Sequence, residues 1–101
     1  MKTKLKVIFK KHDGEVFAAF PTLLGDMSPY TMCGYAHIGQ HGAYCMSYVA
    51  DAKPAKPEEY APLLAELTQI YDDCELVIAR KMAQADLEIR KAELAAICQA
   101  A

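Results

Sequence analysis

The fold of this chain follows from residues 4–20, which read KLKVIFKKHDGEVFAAF. Asp13-Gly14 lies between two alternating runs, and this dipeptide suits a type I′ turn because both central residues of that turn need a positive φ. A two-residue turn pairs His12 with Glu15 and places the apolar side chains of both strands on the same face. Those side chains belong to Leu5, Val7, Phe9, Val16, Ala18 and Phe20. Turn and pattern together predict a β-hairpin with one buried face.

The remaining elements follow from periodicity and turn residues. Residues 31–35 and 44–50 favour strands, and residues 74–79, which read CELVIA, favour another because they are rich in β-formers. A Pro-Glu-Glu start and apolar residues at helical spacing predict a helix over 57–71, and a second helix is predicted over 82–98. We therefore expect an α+β fold. It has an antiparallel sheet in ββββαβ order, packed by one helix as a two-layer sandwich, plus a C-terminal helix.

Composition bounds the class of protein. The chain has 101 residues, which predicts a single domain over residues 1–101. With 53% hydrophobic and 24% charged residues it is globular rather than disordered. The net charge is −2, whereas nucleic-acid-binding proteins usually carry an excess of basic residues, so a nucleic-acid partner is not expected. Because no apolar run approaches the ~20 residues of a membrane span, and no signal peptide is visible, we expect a cytoplasmic protein without a membrane partner.

The polar segment 33–45 reads CGYAHIGQHGAYC and offers two kinds of chemistry. Cys33, His37, His41 and Cys45 recur at intervals of four and are the ligand types of a tetrahedral zinc site. A straight helix would spread them over about 18 Å, so the chain would have to fold back around an ion. A thiol enzyme with Cys33 or Cys45 as nucleophile is a further alternative. We expect neither: the glycines favour a polar loop without a cofactor, and no catalytic residue is identified.

Three stretches carry a family resemblance. They are the hairpin 6–21, the run YAHIGQHG over 35–42, and KPAKPEEY over 53–60. Together they resemble a family of short, functionally uncharacterised bacterial proteins with a His-x-Gly-Gln-His-Gly centre, over about residues 4–80. The resemblance implies a specific role for the central motif but brings no mechanism. The candidate binding residues are therefore His37, Gln40, His41 and the adjacent Tyr35.

The function expected from the sequence is that of a small intracellular bacterial binding or accessory protein rather than an enzyme. It would act on an unknown protein or small-molecule partner, because the sequence shows no phosphate loop, complete catalytic set or basic face. A metal-binding or thiol-dependent enzyme using Cys33 to Cys45 is the alternative. The C-terminal helix carries a thin apolar stripe with many alanines, which favours a homodimer. The sequence leaves open whether that helix packs on its own sheet or across the dimer.

Overall fold

The computed structural model describes residues 3–36 and 40–100, and it confirms the α+β class. Its elements follow the chain from a long hairpin to a C-terminal helix. They are β1 (Thr3–His12), β2 (Glu15–Leu24), β3 (Thr31–Ala36), β4 (Gln40–Cys45), α1 (Met46–Asp51), β5 (Lys53–Pro54), α2 (Pro57–Ile70), β6 (Cys74–Ala79) and α3 (Gln84–Ala100).

The predicted hairpin is confirmed in turn and register. His12 pairs with Glu15, and both central turn residues have a positive φ, 50° at Asp13 and 81° at Gly14. From this hairpin the sheet extends through antiparallel pairs in the order β4-β3-β2-β1. The far side of β1 is shared by two strands: β5 pairs antiparallel near Lys10, and β6 pairs parallel along the first part of β1.

One face of the sheet packs on α2, as the helical stripe over 57–71 predicts. Leu63 and Leu67 of this helix are buried against the apolar set of the hairpin. Each such leucine contributes about 1.5–3 kcal/mol of hydrophobic free energy. This first core comprises Leu5, Val7, Phe9, Ala18, Phe20, Tyr35, Leu63 and Leu67.

The opposite face is covered as well, so the predicted two-layer arrangement is wrong and the fold has three layers. Phe17, Ala19 and Met32 form a second core with Val49 and Ala52 of the α1 region. The first turns of α3 also lie on this side, held by polar groups. Asp86 pairs with Lys6 of β1 at 3.0 Å, and Arg90 Nε donates to the Pro29 carbonyl at 2.8 Å. An apolar periodicity does not reveal such a contact.

The strand predicted over 44–50 is only partly a strand. The chain leaves the sheet at Cys45 and continues as α1, with Val49 buried on the inner side of this helix. A run of apolar residues this short fits the period of a strand and the period of a helix equally well. The sequence pattern therefore could not distinguish the two here. Within residues 3–36 and 40–100, no helix has the length and hydropathy that crossing a bilayer requires.

Candidate functional site

Residues 33–36 belong to β3 and residues 40–45 form β4, so they are not helical. The polar loop expected around the glycines of this segment is also wrong for residues 40–45, which are a strand. Cys33 pairs with Ala43 and Thr31 pairs with Cys45. The four-residue spacing of the cysteines and histidines therefore does not place their side chains on one face of a helix. His37 and the side chain of Gln40 lie outside the described residues, so their predicted binding role stays a prediction.

Two other predicted binding residues, Tyr35 and His41, are brought together. They face each other across the β3–β4 ladder, with ring centroids 4.6 Å apart in an edge-to-face arrangement. Nε2 of His41 lies 2.9 Å from the hydroxyl of Tyr71, the C-cap residue of α2. An exposed imidazole is thus held by one tyrosine ring and one tyrosine hydroxyl.

Both tyrosines are themselves fixed. The Tyr35 hydroxyl donates to Glu66 of α2 at 2.7 Å, and the Tyr35 ring is almost fully buried. The Tyr71 ring packs on Phe20 at 5.3 Å, and its amide donates to the Leu67 carbonyl at 2.8 Å. The oriented imidazole therefore stands on the first core rather than on a loose loop.

The protonation of Tyr71 suits this arrangement. Burial raises the pKa of Tyr71, and the nearby cysteines 33 and 74 act in the same direction. The phenol consequently stays protonated and donates to Nε2 when the neutral imidazole carries its proton on Nδ1. Nδ1 makes no hydrogen bond to another residue in the described ranges, so it is available to a partner.

The cysteines do not assemble a site among the described residues. None of the four cysteines is in a disulfide bond; Cys33 is half-buried and Cys45 is exposed. Burial raises the pKa of Cys33, which disfavours the thiolate that a nucleophile or a zinc ligand needs. Cys33, His41 and Cys45 do not form a cluster suited to a metal ion, and no other such group of three occurs in the described part of the chain.

A second candidate, which sequence reasoning missed, is a cleft of about 620 Å³ beside β1, between β5 and the end of β6. We call it the cationic cleft, because its charged lining residues among those described are all basic. Three distant segments build it: the end of β1, the connection from β5 into α2, and the end of β6. No local signal could have found it. Its basic residues are Lys10, Lys56, Arg80 and Lys81.

Comparisons with known proteins give no family or relative. No family model, no curated protein and no solved structure matches the chain. The resemblance to short bacterial proteins with a His-x-Gly-Gln-His-Gly centre therefore stays a prediction.

Proposed function

We propose that the protein is a binding or accessory module that recognises an extended segment of a partner protein along β4, with His41 as the anchor. The observation that carries this proposal is the exposed His41 imidazole, held in one orientation on an edge strand by Tyr71 and Tyr35. The sequence-based expectation of a binding protein is thereby given a surface and a mode of recognition.

The position of β4 supports recognition of an extended chain. The strand order ends at β4, so one side of this strand has no neighbouring strand among the described residues. An edge strand presents a row of backbone donors and acceptors, and an incoming peptide pairs with them as an added strand. His41, Gly42 and Ala43 are all exposed, and a Cβ added at Gly42 would meet no atom within 4 Å.

The fixed imidazole supports specificity. A side chain already held in its bound orientation loses little conformational entropy when it binds, which improves affinity. Nδ1 of His41 offers one directional hydrogen bond beside the backbone pairing. Affinity would then come from main-chain pairing, and choice of partner from His41 and the adjacent strand residues.

We also propose that the protein is a cytoplasmic bacterial homodimer. The resemblance to short bacterial proteins supports a bacterial source, and four cysteines without a disulfide bond fit a reducing compartment. Exposed apolar side chains on α3 support self-association, since Ile89 is 47% exposed and Ile97 is 44% exposed. Sedimentation at micromolar concentration should give about twice 11.1 kDa. A monomer there would end the dimer proposal and leave recognition along β4 untouched.

The test of recognition is a selection of random peptides displayed against the purified protein. We expect enriched peptides whose affinity falls about tenfold or more in His41→Ala, equivalent to the loss of one well-placed hydrogen bond. Thr68→Ala, an exposed change on α2, is the matched control and should leave affinity unchanged. Because His41 is exposed, both variants should fold.

A second arm tests the mode of binding. N-methylation of alternate amides of a selected peptide removes main-chain donors and should abolish its binding. If selected peptides bind His41→Ala as tightly as the parent, or tolerate N-methylation at every position, the proposal is wrong. Failure to enrich any peptide would count against it as well.

A further inference from the structure

We propose that the cationic cleft binds a small planar organic anion, an aromatic ring that carries a carboxylate or a phosphate. This site is separate from the β4 edge, and it stands whether or not that edge recognises a peptide. The proposal rests on three properties of the cleft: the sign of its charges, the aromatic pair in its lining, and its size.

The charge of the cleft favours an anion. Its four charged lining residues in the described chain are lysines or an arginine, although the whole protein carries a net charge of −2. Arg80 and Lys81 make no hydrogen bond or ion pair with another described residue. Lys56 lies near the carboxylate of Glu59, but that carboxylate is paired with Lys11. The local positive field is therefore largely uncompensated by the protein itself.

The uncharged part of the lining favours a flat ring. Phe9 and Tyr60 are stacked, with centroids 4.2 Å apart and an interplanar angle of 9°. Ile78 and two prolines, Pro54 and Pro57, add apolar walls. Aromatic and apolar surface binds planar rings, whereas the basic side chains around it orient a charged group.

The size of the cleft favours a small molecule. Its volume of about 620 Å³ falls within the usual range for ligand pockets, roughly 300–1,000 Å³. Arg80 is suited to bind a carboxylate or phosphate through two parallel hydrogen bonds.

The experiment uses three probes with the same ring: naphthoate, naphthyl phosphate and the neutral naphthalenemethanol. Each is titrated into the isotope-labelled full chain and followed by amide chemical shifts. We expect at least one of the two anions to bind and to change the amide chemical shifts of Phe9, Tyr60 and residues 78–81. The neutral alcohol should bind at least roughly tenfold more weakly than the anions, because it cannot form charge-assisted hydrogen bonds with the basic side chains. Preference between the two anions identifies the charged group of the ligand.

Variants decide whether the cleft is responsible. The double substitution Arg80→Gln and Lys81→Gln should weaken anion binding about tenfold or more, while Lys91→Gln on the exposed side of α3 should not. All three residues are exposed, so folding should be retained and is checked by the unperturbed amide spectrum. The proposal is overturned by any of three results: equal binding of the neutral alcohol, equal loss in Lys91→Gln, or absence of anion binding at millimolar concentration.

Discussion

The ring of Tyr44 lies directly over Gly34, at the position a side chain would occupy. A Cβ built on Gly34 would stand 2.4 Å from two ring carbons of Tyr44 and 2.9 Å from the Ala18 carbonyl oxygen. The same ring packs edge-to-face on Phe17, 4.9 Å away between centroids. Glycine at this position therefore lets a β4 side chain close over the second core.

Replacing Gly34 with alanine should accordingly destabilise the protein. We expect Gly34→Ala to lower the free energy of unfolding by about 1–3 kcal/mol, because Tyr44 or the backbone must shift. Gly42 is the matched control, since it pairs with Gly34 in the β3–β4 ladder and has nothing within 4 Å of an added Cβ. Gly42→Ala should change stability by no more than about 0.5 kcal/mol. Urea denaturation measures both, and equal effects would contradict the packing described.

Arg90 should be the most important polar residue in holding α3 to the sheet. It is fully buried, and its guanidinium donates to two carbonyls, those of Pro21 and Pro29. Arg90→Met should lower the free energy of unfolding by about 2 kcal/mol or more, because both carbonyls lose a charged donor. Arg90→Lys should recover only part of this loss, since one ammonium does not reproduce the planar fork.

The control for Arg90 is its exposed neighbour on the same helix. Lys91→Met should leave stability nearly unchanged, because the one ion pair of Lys91 within residues 3–36 and 40–100 is a 3.9 Å surface contact with Glu88. Hydrogen exchange of the α3 amides should rise in Arg90→Met and stay as in the parent protein in Lys91→Met. A stable Arg90→Met variant with protected α3 amides would show that the helix is held by other contacts.

Sequence reasoning succeeded where the determining signals are local. Asp13-Gly14 determines the hairpin register through its own backbone conformation, and the strand predicted over 74–79 is observed as Cys74–Ala79. It failed where residues far apart in the chain meet. The attachment of α3 depends on Arg90 and on two carbonyls that lie 61 and 69 positions earlier in the chain. The cationic cleft likewise combines three separate segments. The His41 cluster was half predicted: Tyr35 and His41 were named as binding residues, whereas Tyr71 was only the last residue of the helix predicted over 57–71.

The stability of the α2 start should depend on pH through Glu59. A hydrogen bond from Lys11 lowers the pKa of Glu59, and the Lys56 amide, which donates at 2.9 Å, lowers it further. Because the carboxylate is favoured in the folded state, its contribution is present above the ordinary glutamate pKa. This contribution to stability is lost as the pH falls through the lowered pKa of Glu59 in the folded protein. The stability difference between the parent and Glu59→Gln should thus be largest near neutral pH and shrink below about pH 4. A difference independent of pH would contradict this role.

The cysteines should behave as ordinary thiols. Cys45 and Cys98 are both exposed, so a neutral-pH alkylating agent should modify them at similar rates, and Cys33 more slowly because burial raises its pKa. Cys45 reacting far faster than Cys98 would instead indicate an activated nucleophile. We also expect purified protein to carry no stoichiometric zinc by elemental analysis. About one zinc per chain, lost in a double variant with His37→Ala and His41→Ala, would favour the metal-binding alternative.

Recognition of a partner along β4 is tested most directly by mapping a selected peptide on the isotope-labelled protein. The amide shifts that change on binding should lie in β4, Gln40–Cys45, and at its neighbours Tyr35 and Tyr71. The His41→Ala protein should lose these changes at the same peptide concentration. Changes confined to α3 or to the cationic cleft, with β4 unaffected, would contradict the proposed function.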